Sequence, residues 1–200
     1  MLSRFTHGRD HPTRPRRIGF RRRFSRDRRG VAAVEFALVL PFMLLLFLGM
    51  IDMNSALTVD RKVSQATQSL ADLVSQTDRL TNAQINDLLR VSEAVLDPYP
   101  SAPLKLVVAS IRIHDVNKPR VEWSRASHTA AWATNTAPPI QIPDALTQQK
   151  GSYLIVTHAS YAHRPSFAAI LKDVFDTDTI TLEDTYFMRP RVSTSVTCCN

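Results

Sequence analysis

Glu35 is the only ionisable side chain between Val31 and Ile51. A carboxylate inside an apolar segment of that length costs about 2–3 kcal/mol on insertion scales unless a cation answers it. Its chemistry is therefore charge pairing, with an amine or a guanidinium as partner. The other groups able to do chemistry are scattered. Six histidines occur, His7, His11, His114, His128, His158 and His163. His114 and Asp115 are neighbours, and neighbours on a strand face opposite ways; His158 and His163, five apart, also diverge. No Gly-x-Ser-x-Gly, phosphate loop, dinucleotide fingerprint or His-Glu-x-x-His motif is present. Five glycines in the whole chain leave no glycine-rich loop to cradle phosphate. The expectation is a protein that is not an enzyme, with no cofactor and no metal.

Cys198 and Cys199 are the only cysteines and they are adjacent. A bridge between neighbours closes a strained ring, so the pair is not expected to be a structural staple. A disulfide to another chain and a free, reactive thiol pair are the two readings. No CxxC or Cys/His cluster suggests zinc.

Glu35 needs an element to hold it, and charge shows which one. Residues 1–30 carry eleven Arg against Asp10 and Asp27, a charge of +9, so the +7 total leaves −2 for residues 31–200. The basicity belongs to a leader. A nucleic-acid binder needs a basic surface on its folded domain, and no nucleic-acid partner is expected. Val31 to Ile51 is 21 residues, about 31 Å as a helix, the thickness of a hydrocarbon core. Secretory apolar regions run about 7–15 residues, shorter than this one. Arginines crowd before the segment, and only Arg61 and Lys62 follow soon after it. The positive-inside rule then predicts a cytoplasmic N-terminus and a single pass, with everything beyond Asp52 on the other side of the membrane. Pro41 lacks an N–H and crowds the carbonyl of Ala37, which predicts a kink or local unwinding. A rival is Phe20-Arg21-Arg22-Arg23-Phe24-Ser25-Arg26, which is similar to a twin-arginine export signal, read as Arg-Arg, a spacer and Phe. The length of the apolar run, Glu35 inside it and the poor cleavage site at Asn54-Ser55-Ala56 oppose it.

Beyond the membrane the helix is expected to continue to about Thr77. Ala56, Val59, Val63, Ala66, Leu70 and Leu73 recur at spacings of 3, 4, 3, 4 and 3, a heptad-like stripe. Asp60, Arg61, Ser64, Gln65, Thr67, Gln68 and Asp72 fall on the other face. The stripe serves either assembly with other subunits or the chain's own core. Thr81-Asn82-Ala83-Gln84 fits a capping box and opens a second helix with Ile85, Leu88, Leu89, Val95 and Leu96 on one face, ended by Asp97-Pro98-Tyr99-Pro100. Leu104 to Ile113 reads as a strand, Val116 to Pro119 as a turn, and Val121 and Trp123 alternate with polar neighbours on a second strand. Arg125 to Lys150 reads as a surface loop with Pro138, Pro139 and Pro143. Ser152 to Ala162 and Thr179 to Met188 are two further strands, joined by a short piece around Ala168 to Phe175. The fold class is α+β: a long N-terminal transmembrane and amphipathic helix packed on a small antiparallel sheet. The domains are a basic cytoplasmic leader 1–30, a transmembrane helix 31–51, a periplasmic helical region 52–100 and a periplasmic β-rich domain 101–200.

Arg28-Arg29-Gly30-Val31-Ala32-Ala33-Val34-Glu35 resembles the processing site of type IV prepilins. The continuation Phe36-Ala37-Leu38-Val39-Leu40-Pro41-Phe42 is similar to the TadE/TadG-like family of tight-adherence (Flp-type) pilus assembly proteins. Tyr186 to Val192 with the cysteine pair resembles C-termini of the TadE-like side of that family. The resemblance implies a pilin-like fold, a place in the bacterial inner membrane with the C-terminal domain in the periplasm, and cleavage by a prepilin peptidase between Gly30 and Val31. It also implies a role for Glu35 in assembly with other pilin-like subunits and pilus assembly proteins. An uncleaved anchor carrying a periplasmic binding or scaffold domain is the alternative.

Overall fold

The computed structural model describes residues 28–165 and 179–199; residues 1–27 of the leader and the Ala168–Phe175 piece lie outside them. The chain divides into two compact units, Met1–Leu46 and Phe47–Asn200. In the first, the described part is the start of helix α1, which runs as Arg28–Ser75 through both units. From Gly30 to Phe47 every residue is exposed.

In the second unit, α1 is followed by β1 (Arg79–Leu80), α2 (Asn82–Ala94), β2 (Leu104–Asp115), β3 (Lys118–Ser127), α3 (Asp144–Thr147), β4 (Tyr153–His163), β5 (Ile180–Met188) and β6 (Thr197–Cys198). Four strands form one antiparallel sheet in the order β3-β2-β4-β5, and β1 pairs with β6 in parallel. This is the expected α+β class. The capping box is present: the Gln84 N–H donates to Thr81 Oγ1, and the Thr81 N–H donates to Gln84 Oε1 at 2.9 Å. Two free donors of the first turn are thereby satisfied.

Strand alternation gives the sheet two apolar faces. Leu104, Leu106, Val108, Ile155, Ala159 and Tyr161 pack with α1 and α2. Ala109, Ile111, Ile113, Val121, Leu154 and Val156 form a second core on the opposite face. Two expectations are corrected here. The segment after Arg125 is more than a surface loop: β3 continues to Ser127, and Trp132, Ile140, Ile142 and Leu146 cover that second core. A sheet apolar on both faces needs such a cover, and four apolar residues spread over fifteen positions have no periodicity to betray them.

The second correction concerns β3. Val121 and Trp123 do not share a face. Val121 is opposite Ile111 and Trp123 opposite Ser110, so Glu122 is an extra residue in the ladder. A β-bulge of this kind breaks the two-residue alternation, and the pair divides between the two cores.

The α1 stripe is also revised. Val59, Val63, Ala66 and Leu70 are fully buried as expected, but the next core residue is Val74, and Leu73 stays 38% exposed. A heptad pattern drifts by about 20° per repeat on a straight helix, so against a sheet the buried line passes from 70 to 74. The same line takes in Thr67, expected on the polar face yet fully buried. Its hydroxyl donates to the Val63 carbonyl at 2.7 Å, and its carbonyl accepts from Thr157 Oγ1 at 2.9 Å. The stripe thus belongs to the domain's own core.

Long-range polar contacts close the helix ends. Lys62 Nζ donates to the carbonyls of Val95 and Asp97 at 3.0 and 2.8 Å, just past the end of α2. α1 has no basic residue in its last turn, but the tail supplies one. The Arg191 N–H donates to the Ser75 carbonyl at 2.9 Å, and its guanidinium pairs with Asp72 at 3.0 Å. Carbonyls left free at a helix C-terminus, and the negative end of its dipole, favour such a cation.

Candidate functional site: the N-terminal helix

Gly30 and Val31 lie in α1, two and three residues after Arg28. A Cβ at Gly30 would meet nothing within 4 Å. Space within this fold therefore does not demand glycine; the demand would come from whatever must grip the extended chain there. Glu35 is one turn beyond Val31 and exposed. Spacing of four residues puts the two on one helix face. Helical structure continues through Pro41 on both sides.

Large apolar side chains surround this stretch and face outward: Phe36 is 63% exposed, Leu38 73% and Phe42 63%. α1 is one helix long and apolar enough to cross a membrane, with a mean hydropathy of 2.6 over its best 18 residues, none of them buried. In water such a surface would be covered by association. Lipid or the apolar helices of partner subunits would serve equally.

The remaining candidates do not converge. His128 Nδ1 lies 3.0 Å from the Leu104 carbonyl, His158 Nδ1 lies 2.8 Å from Thr185 Oγ1, and His163 is buried on the other face of β4. Among the described residues no group of three His, Cys, Asp or Glu side chains gathers as a metal site would require. The sulfurs of Cys198 and Cys199 lie side by side. Their segment is held by the Cys199 N–H on the Leu80 carbonyl at 2.8 Å and by β6 against β1.

Sequence reasoning missed how much the tail does. Ser75 Oγ donates to Met188 Sδ, Arg191 closes α1, and Trp123 Nε1 donates to the Val196 carbonyl at 2.7 Å. Pro190, two residues past the end of β5, marks that the strand has ended but carries no sign of where the chain docks. Leu73, displaced from the core, lines with Leu80 and Leu88 an open groove of about 430 Å³ between α1 and α2.

Fold and site together define a class: an α+β domain carried on an N-terminal apolar helix of membrane length. Residues 30–72 match the family model described as TadE-like protein, in agreement with the resemblance read from Arg28 to Phe42. The match begins at Gly30, runs through Glu35 and Pro41, and ends within the buried stripe of α1. No curated protein and no solved structure matches the chain.

Proposed function

We propose that this chain is a pseudopilin-like component of tight-adherence, Flp-type pilus assembly, anchored in the bacterial inner membrane. The observation that carries the reading is Glu35, five residues after Gly30, on a membrane-length helix inside the TadE-like segment. The leader 1–30 is cytoplasmic, 31–51 spans the membrane, and 52–100 and 101–200 form the periplasmic domain, an orientation supported by the arginine excess before the helix. A prepilin peptidase cuts between Gly30 and Val31. Cleavage removes the +9 leader and creates an amine on Val31, one turn from Glu35. That amine, or the one on a neighbouring subunit, offsets the cost of holding the carboxylate in lipid, whereas an unpaired acid there would tend to protonate. The role is structural, in contacts with other pilin-like subunits and assembly proteins, and the chain is a peptidase's substrate and not an enzyme.

An uncleaved anchor with a periplasmic scaffold domain is the second reading. It is favoured by one observation: α1 begins at Arg28, so Gly30 lies inside a helix and not in an extended strand. Sequencing the N-terminus of the protein isolated from membranes separates the readings. Val31 supports peptidase processing, Met1 or Leu2 supports the intact anchor, and a residue beyond about 50 would indicate export with signal removal. A reporter active only in the periplasm, fused after Asn200, tests the orientation; activity from a fusion within the first 25 residues would reverse it.

A further inference from the structure

The β2–β3 hairpin carries a charge arrangement that neither the core nor the membrane helix explains. Arg112 and Arg120 are direct partners across the two strands, so their side chains leave the same face of the sheet side by side. Like charges placed opposite each other in this way repel. Among the described residues neither forms an ion pair with a carboxylate, and each is instead held by a neutral group. The Arg112 guanidinium lies 5.8 Å from the centre of the Tyr153 ring, and Arg120 Nη1 donates to the Asn135 carbonyl at 2.7 Å. Asn135 presents that carbonyl from a left-handed turn, with φ 63°, while its own N–H donates to the Val121 carbonyl at 2.7 Å. The two guanidiniums therefore share one wall system, an open cleft of about 660 Å³ that His114 and Glu122 also line. Glu122 is the bulged residue of β3, and the bulge sets it on the wall of this cleft, where it forms no ion pair with either arginine.

We propose that this cleft binds a phosphate-class oxyanion that carries a proton. Two guanidinium forks supply donors matched to the oxygens of a tetrahedral anion. Glu122 would repel a fully deprotonated anion, but its carboxylate accepts a hydrogen bond from a P–OH group. Inorganic phosphate keeps such a proton at neutral pH, and a phosphomonoester, with a second pKa of about 6, keeps it only in mildly acidic solution; sulfate and a phosphodiester do not. The cleft therefore selects phosphate by the proton and not by charge. This inference is independent of the pilus reading, since it rests on the sheet domain alone.

The test is isothermal titration calorimetry on the full chain in detergent micelles at about pH 6, where both phosphate and a phosphomonoester retain a P–OH, with ionic strength matched by sodium chloride. Inorganic phosphate and glycerol phosphate are the binding probes; sulfate and dimethyl phosphate are the comparisons. Saturable phosphate binding is expected, with sulfate and dimethyl phosphate weaker by about tenfold or more, as loss of one charge-assisted hydrogen bond implies. Binding of glycerol phosphate as tight as inorganic phosphate assigns the source to a phosphoryl group on a larger molecule; markedly weaker binding assigns it to the free ion. Arg112→Gln and Arg120→Gln should each weaken phosphate binding about tenfold, with near-UV circular dichroism unchanged. Arg112→Lys and Arg120→Lys serve where a Gln variant fails to fold. Glu122→Gln should narrow the gap between phosphate and sulfate. No saturable phosphate binding, binding indifferent to both arginines, or equal affinity for sulfate would each overturn the proposal.

Discussion

Val121 and Trp123 are two residues apart in β3 and face opposite sides of the sheet, because Glu122 between them has no partner of its own in the ladder. Val121 enters the core roofed by Trp132 and Ile140, while Trp123 enters the core under α1 and reaches the Val196 carbonyl with its indole N–H. One bulge thereby turns Trp123 towards the tail and sets Glu122 on the wall of the arginine-lined cleft.

Trp123→Phe keeps an aromatic ring in the core but leaves the Val196 carbonyl without its buried donor. An unsatisfied buried group of this kind costs about 1–3 kcal/mol, or a fall in Tm on the order of 2–4 °C per kcal/mol for a chain of this size. Hydrogen exchange should accelerate at Arg191, Thr197 and Cys199, whose N–H groups hold the tail. A variant with wild-type melting and unchanged exchange would show that the indole bond contributes nothing.

The revised stripe separates folding from assembly. Leu70 is fully buried, so Leu70→Lys places a charge in the core and the protein should fail to accumulate, as Val63→Lys should. Leu73 is exposed, and Leu73→Lys should leave stability within about 0.5 kcal/mol. If the α1–α2 groove serves subunit contacts, Leu73→Lys cells hold normal protein levels and lose pili. Immunoblots beside pilus counts distinguish the two outcomes, and normal piliation would remove the groove from the assembly surface.

Gly30 and Glu35 should separate in the same way. Gly30→Val is expected to block maturation and leave the leader attached, seen as an intact N-terminus by mass. Glu35→Ala should permit cleavage, at least in part, and abolish incorporation, while Glu35→Asp is intermediate because its shorter side chain reaches less far towards an amine. Wild-type piliation by a normally matured Glu35→Ala protein would deny the carboxylate any part in assembly.

Asp115 gives a dependence on pH. The Val116 N–H donates to its carboxylate at 3.0 Å, and that bond, followed by the charges of Lys150 and Lys118, holds its pKa below the usual 3.8. A depressed folded-state value means that the carboxylate contributes stability at neutral pH, where both states are ionised. The contribution fades as pH falls below the unfolded-state value towards the folded one. Asp115→Asn should therefore melt slightly below the wild type at neutral pH and converge with it in strong acid. Thermal melts across that range check this; a gap that persists in acid would trace the effect to the turn's geometry instead of its charge.

Much of this protein was legible in its residues because the relevant signals are local. A membrane-length apolar run, a single acid within it and an arginine excess before it follow from composition along one segment, and the match over residues 30–72 falls on that segment. The Thr81–Gln84 capping box involves four consecutive residues, and its geometry appears as the pattern predicts. The strands of the sheet were visible as β-branched and aliphatic runs. What the sequence could not specify depended on which surfaces met. Whether α1 buries Leu73 or Val74 is decided by laying a straight 3.6-residue helix on a sheet, and Thr67 enters the core because Thr157 is there to meet its carbonyl. The bulge at Glu122 became apparent only from the pairing of β3 with β2, since alternation along one strand carries no record of an unpaired residue. The tail's grip on α1, Arg191 to Asp72 and Ser75, joins residues more than a hundred positions apart. Local propensity and periodicity determine elements; long-range complementarity of shape and hydrogen bonding determines how those elements close on one another.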